Sequence, residues 1–301
     1  MATFRRDDKI DTMDTAFVDN GSGYQVPVRW SPGSGGASDA PVVAILGALS
    51  TPATFYERLA TELGTLGWSV AVVEQRGLGE SSVRPSRDAD WSFADVLQTD
   101  LPAALAWIRE QAPDRPLVLL GHSLGGHYAI MAAGLHPEQV DGVVLAACGT
   151  PWIEAFDGPL RGMVEHLVAA IPELTAERGY YPGEEAGFGG DEARGVMADW
   201  RHLAQTNRFR LADDDETVAD LIRKYDGPVL AIGMADDDFA PPAAVAASVE
   251  RFTTRPSERV LTTDDIGVTA DHFGWARRPA AAVRTIGQWW AEESASDDAD
   301  R

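Results

Sequence analysis

Pro116-Leu-Val-Leu-Leu-Gly-His-Ser-Leu-Gly-Gly126 is the stretch on which the reading of this chain turns. A short apolar run, bounded by proline and glycine, breaks at Gly121-His122-Ser123-Leu124-Gly125. An apolar-periodic segment follows, with Tyr128, Met131 and Leu135 after Leu124 at steps of four, three and four, which is helical spacing. The run before Gly121 is too short for a helix and reads as a buried strand. Strand, sharp turn and helix, with a serine at the turn, is the context that a G-x-S-x-G nucleophile elbow requires. The glycines have a steric reason. A serine on so tight a turn sits in strained backbone, and a Cβ two residues to either side would strike the neighbouring strand and helix. The helix that follows directs free N–H groups and its positive dipole end at the reacting atoms.

The same alternation extends outward. Ala16 to Val18 and Tyr24 to Trp30, around Asn20-Gly21-Ser22-Gly23, suggest two strands joined by a turn. Pro41 to Gly47 is a buried strand, and Phe55, Leu59, Leu63 and Leu66 mark one face of a helix. Trp68 to Val73 is the next strand, closed by Gln75-Arg-Gly-Leu-Gly-Glu-Ser81. A helix is expected near Asp95–Gln111, with Leu97, Leu101, Leu105 and Ile108 inward, and a strand at Gly142–Ala147. Further strands are expected at Pro228–Gly233 and Arg259–Thr262, and a last helix at Ala280–Trp290. Such alternation implies right-handed βαβ units and an α/β fold with a mostly parallel sheet. The pattern breaks between about Thr150 and Tyr225, which is proline-rich, helical in flavour and holds Trp152, Phe156, Tyr180, Tyr181, Phe188 and Trp200 among its aromatics. The expected organisation is one discontinuous core, residues 14–149 and 226–291, with a helical lid at 150–225. The charged ends, 1–13 and 292–301, are expected to be disordered.

With 301 residues and an apolar fraction of 45%, the chain can bury a large core. A net charge of −22, with lysine only at Lys9 and Lys224, repels nucleic acid and anionic membrane, so neither is an expected partner. Cys148 stands alone in an apolar run and reads as a core residue. The arginine pair Arg5-Arg6 has no apolar segment behind it, so no secretory or twin-arginine signal is expected, and the protein is placed in the cytoplasm. No Cys/His cluster or H-x-x-x-H spacing points to a metal, and no cofactor is implied. Oligomeric state is not legible.

A serine hydroxyl needs a base to take its proton and an acid to hold that base. In this topology both follow the serine, each just past the end of a later strand. After Val229–Ile232 comes Gly233-Met-Ala-Asp236-Asp237-Asp238, where Asp236, first after the strand, is chosen and Asp237 is the alternative. After the last strand comes Ala270-Asp-His272, the one histidine downstream of these acids. For the oxyanion hole, the N–H of Leu124 is one expected donor. The other is Ala48, or else Leu49, in the loop after the Pro41–Gly47 strand. Trp152 and Phe239 are expected to contact substrate.

These residues resemble the α/β-hydrolase superfamily across nearly the whole chain. Gly121-His-Ser-Leu-Gly-Gly126, Gln75-Arg-Gly-Leu-Gly-Glu-Ser81 and Gly233-x-x-Asp236 match its landmarks. The resemblance implies an eight-stranded sheet with a lid inserted after the sixth strand. A narrower likeness is to a bacterial group of hydrolases with Gly-Ala then Phe-Tyr (Gly47-Ala48, Phe55-Tyr56), a lid Gly-Tyr-x-Pro (Gly179 to Pro182) and His272-Phe-Gly-Trp275. It implies a triad of Ser123, Asp236 or Asp237, and His272. The usual His-Gly before the oxyanion loop is Leu46-Gly47 here. The activity implied is cleavage of a small-molecule carboxylic ester or thioester through an acyl-enzyme on Ser123. An acyltransferase or cofactor-free perhydrolase would use the same triad. A binding protein without catalysis is opposed by the Ser, Asp and His standing in order.

Overall fold

The computed structural model describes residues 13–34, 40–211 and 216–299. Asp14–Asp19 (β1) and Gln25–Ser31 (β2) form the first hairpin, paired from Asp14↔Trp30 to Asp19↔Gln25. Val42–Leu46 (β3), Ser69–Val73 (β4), Leu117–His122 (β5) and Gly142–Ala146 (β6) are buried at every position. Strands covered on both faces are continuous apolar runs of this kind. Tyr181–Pro182 (β7) and Asp191–Glu192 (β8) pair only with each other, while Val229–Met234 (β9) and Ser257–Leu261 (β10) rejoin the main sheet. Its eight strands lie in the order β1-β2-β4-β3-β5-β6-β9-β10, and β2 alone runs against the rest.

Between the strands run α1 (Glu57–Gly64) and α2 (Phe93–Asp95), the latter continuing through a π turn at Val96–Asp100 into α3 (Leu101–Gln111). Next come α4 (Leu124–Leu135), α5 (Gly158–Arg178), α6 (Gly183–Ala186), α7 (Arg194–Thr206) and α8 (Glu216–Ile222). The chain ends through α9 (Pro242–Val249), α10 (Thr263–Ile266), α11 (Gly274–Arg277) and α12 (Ala280–Ala299). Leu59 and Leu63 of α1, Trp275 of α11, and Ile286 and Trp289 of α12 fill one face of the sheet. Ile108 of α3 and the small residues of α4 fill the other, where α5, α7 and α8 also pack.

One expectation about the ends changes. Residues 1–12 lie outside the described residues. The acidic tail, expected to be disordered from residue 292, instead continues α12 to Ala299. The helix is anchored by buried Trp289, and the alanines and glutamates beyond it favour propagation. The irregular segment leaves the sheet after β6 and returns at β9, as its composition suggested. Its last helix, α8, lies directly against α4, with the backbone at Leu221 and Ile222 pressed on Gly134.

Candidate active site

Ser123 sits between β5 and α4 with φ 53° and ψ −117°, a conformation that L-residues avoid. The flanking glycines have the steric reason given above. A Cβ on Gly121 would fall on Gly126 Cα, and one on Gly125 would fall on the carbonyls of Leu46 and Gly47 at the end of β3. Backbone bonds hold the turn: Ser123 N–H donates to Ala146 O (3.3 Å), and Ser123 O accepts from Gly126 N–H (2.9 Å). Leu124 opens α4, so its N–H belongs to the first turn, which has no partner within the helix.

His272 follows β10 and is nearly buried, with its ring exposed to the same cavity as Ser123. Its Nδ1 lies 2.8 Å and 3.1 Å from the two carboxylate oxygens of Asp237. Asp237 is itself fixed, accepting from Phe239 N–H (2.9 Å) and Ala240 N–H (3.1 Å). The choice of Asp236 is therefore corrected. Its Oδ2 accepts from Thr263 Oγ1 (2.9 Å) and Ala270 N–H (3.3 Å), which braces the loop that carries His272 without touching the imidazole. The turn after β9 thus sends the two neighbouring carboxylates to different partners.

The loop Gly47–Thr51, expected to supply an oxyanion donor, also departs from expectation. Ala48 N–H donates to Tyr56 Oη at 2.8 Å and is thereby occupied. Leu49, the alternative, lines the cavity beside Ser123 and Leu124. Thr51 N–H closes a tight turn on Ala48 O (3.1 Å), and Ser50 stands within it at φ 56°. Gln75 Nε2 donates to the carbonyls of Gly47 (2.6 Å) and Ala48 (2.9 Å). The neighbouring Arg76 grips buried Asp100 through two nitrogens and stacks on Tyr24, which fixes the Gln75–Ser81 loop.

His122 was not foreseen as part of this arrangement. It is fully buried beneath the site, its ring centroid 4.9 Å from that of His272 and its Nδ1 2.8 Å from Tyr56 Oη. Burial, together with the charge of His272 when protonated, pushes its pKa well down, so it stays neutral. Tyr56 Oη thus bonds with both Ala48 N–H and His122 Nδ1, joining the Gly47–Thr51 loop to the strand end beneath Ser123. The Phe-Tyr pair was a visible signal in the sequence, but its partner was not.

Ser123 and His272 open on a cavity of about 520 Å³ with mostly apolar walls. Phe239 lines it and is half exposed. Trp152 does not line it and packs half-buried against the core, because the turn at Ile153–Ala155 presents Pro151 and Phe156 to the cavity instead. Phe188 and Trp200 of the inserted segment also face it, and none of Arg178, Arg194, Arg201, Arg208 or Arg210 does. His127 also lines the cavity, with its Nε2 3.1 Å from Gly149 O. Cys148 is buried, which pushes its thiol up to about 12. No group of acidic, histidine or cysteine side chains suited to a metal occurs among the described residues. Nor is any described helix long and apolar enough to cross a membrane.

The family model described as serine aminopeptidase, S33, matches residues 37–222, more than half of the chain. The chain belongs to that family. It is thus an α/β-hydrolase. Among curated proteins it is 29% identical to protein ABHD12B of Homo sapiens over 136 residues, 42% of this chain and 36% of that protein. It is 28% identical to the chloroplastic pheophytinase of Arabidopsis thaliana over 146 residues, 41% of this chain and 30% of that one. The matches thus span about a third of the length of these relatives. A soluble variant of monoglyceride lipase from Saccharomyces cerevisiae, solved with a substrate analog, aligns with TM-score 0.68 at 15% identity over 97% of this chain and 99% of that one. Est1E from Butyrivibrio proteoclasticus, with ferulic acid bound, gives 0.62 at 16% identity over 93% and 99%. At such identities the likeness is one of fold. In this α/β-hydrolase Ser123, the Gly47–Thr51 loop and the Asp236–Asp238 loop all stand at the C-terminal edge of parallel strands, where ligands bind in open α/β sheets.

Proposed function

We propose that this chain is a serine hydrolase that cleaves a carboxylic ester or thioester of an apolar acyl group, with Ser123, His272 and Asp237 as its triad. The observation that carries the reading is the pairing of His272 Nδ1 with buried Asp237, on a ring that faces the cavity holding strained Ser123. Asp237 keeps the proton on Nδ1, which leaves Nε2 as the base. Ser123 Oγ attacks the acyl carbon as His272 takes its proton. The N–H groups of Leu124 and Leu49 receive the oxyanion. His272 then returns the proton to the leaving oxygen or sulfur, and water releases the acyl group by the reverse sequence.

The acyl preference follows from the walls. Met163, Leu167, Ala170 and Leu174 line the cavity at steps of four, three and four on α5, a stripe about 16 Å long at 1.5 Å per residue. In this reading the inserted segment is a lid. Such a wall favours an extended hydrocarbon over a polar or anionic acyl group.

Hydrolysis of p-nitrophenyl esters from acetate to palmitate, on wild type and Ser123→Ala, tests the reading. Fluorophosphonate labelling is read by mass spectrometry on the same samples. Turnover and labelling lost together in Ser123→Ala are expected, with a preference for chains longer than acetate. Absence of both from the wild type sinks the reading. Faster turnover of aminoacyl anilides than of any ester replaces it with an aminopeptidase.

A further inference from the structure

Ser50 occupies a left-handed conformation at φ 56°, in a turn where glycine or asparagine usually sits, and it is neither. Its hydroxyl both donates and accepts. It donates to Glu192 Oε1 at 2.6 Å and accepts from Gly190 N–H at 2.7 Å. Both partners lie in the inserted segment, some 140 residues further along the chain. A Cβ on Gly190 would come within 3.3 Å of Ser50 Cβ, so the two backbones meet closely. Glu192 is 4% exposed and has no ion-pair partner among the described residues. An unpaired buried carboxyl is costly, and a smaller polar residue would close a simple structural contact at less expense. What the carboxyl adds is a strong acceptor that turns the Ser50 hydroxyl so that its lone pair meets Gly190.

We propose that Ser50 and Glu192 are positioning residues that hold the oxyanion-donor loop in its left-handed turn and tie it to the inserted segment. The inference rests on the serine-hydrolase reading above. Gln75 and Tyr56 fasten the Gly47–Ala48 side of that loop from within the core. The Leu49–Ser50 side is fastened from the inserted segment. The Leu49 N–H therefore points at the reacting oxygen only when that segment is docked, and the oxyanion hole is completed from outside the sheet.

The test compares wild type, Glu192→Ala, Glu192→Gln and Ser50→Gly on p-nitrophenyl butyrate, with fluorophosphonate labelling and thermal melts in parallel. A displaced oxyanion donor lowers kcat, so Glu192→Ala and Ser50→Gly should each lose about 10- to 100-fold in kcat. KM should stay within about threefold, since the interaction is made in the transition state. Glu192→Gln, whose amide oxygen still accepts from Ser50, should recover most of kcat. The inference is overturned if Glu192→Ala keeps wild-type kcat. It is equally overturned if the Gln variant is as impaired as the Ala variant and both losses follow the melting temperature. A wild type that neither labels at Ser123 nor turns over any ester removes the hydrolase reading and this inference with it. An active wild type with an indifferent Glu192 removes this inference alone.

Discussion

The elbow and the loops that face it are held by different means. Around Ser123, main chain meets main chain: glycines 121 and 125 allow close contact, and the turn is bonded to Ala146 O. Across the cavity, side chains do the holding. Gln75, Tyr56 and the Ser50–Glu192 pair set the Gly47–Thr51 loop, and Asp237 sets His272. A backbone-held element is written in a few consecutive residues. A side-chain-held element depends on partners far away in sequence.

The side-chain half should break most sharply at the acid. Asp237→Asn would leave the imidazole in the wrong tautomer, and kcat should fall by about 10⁴-fold, close to 5.5 kcal/mol of barrier at 1.36 kcal/mol per decade. Asp236→Asn, which touches only Thr263 and Ala270 N–H, should stay within about tenfold of wild type and mainly lower stability, by about 1 kcal/mol. Steady-state kinetics with both variants, checked by melts, decides between them. Equal loss from the two would mean that the acid is shared.

The backbone half should fail as a fold and not as a catalyst. Gly125→Ala places a methyl on the Leu46 carbonyl, where neither the strand nor the helix can give. Overpacking at such a point should destabilise by about 3 kcal/mol. Urea unfolding measures this. A folded Gly125→Ala protein with ordinary stability would show that the elbow has room to relax.

This difference in how the elements are held explains what could be read from sequence. The eight strands of the sheet rest on local pattern and chain order, and they were legible. Asp236 and Asp237 are chemically identical neighbours. Which one meets His272 depends on where β9 ends and on bonds to Thr263 and Ala270, some 27 to 34 residues away. Ala48 looked free until Tyr56 was placed over it, and Trp152 looked like a pocket residue until the Ile153–Ala155 turn rotated it away. Glu192 carried no local signal in a chain with 47 acidic residues.

The Ser50–Glu192 tie offers a subtler probe, through pH. Burial raises the Glu192 pKa to about 7, the contacts from Ser50 opposing that rise and Asp191 adding to it. The folded pKa lies above the unfolded one, so the folded state binds more protons between roughly pH 4.5 and 7. Stability is then full below that window and falls as pH rises through it, by about 3 kcal/mol for the whole shift. Glu74 and Asp199 are also raised by burial, so the wild-type slope is a sum. The difference between wild type and Glu192→Gln isolates the one group. Urea midpoints at pH 5 and pH 8 should converge in the variant by about that amount, and an unchanged slope would place the Glu192 proton elsewhere.

Tyr56 gives the smallest effect and the finest distinction. Its hydroxyl accepts from Ala48 N–H and is hydrogen-bonded to His122 Nδ1, both at 2.8 Å. Tyr56→Phe would leave two buried polar atoms without partners, at a cost of about 2 kcal/mol in stability. Its effect on kcat separates the two candidate donors. If Leu49 serves the oxyanion, the loosened loop should lower kcat by less than about tenfold. If the freed Ala48 N–H can swing to the oxyanion, kcat should hold or rise while the melting temperature falls. That opposite movement would mean that the tyrosine restrains the donor loop at some cost to catalysis, and that the two sides of the loop compete for the same N–H.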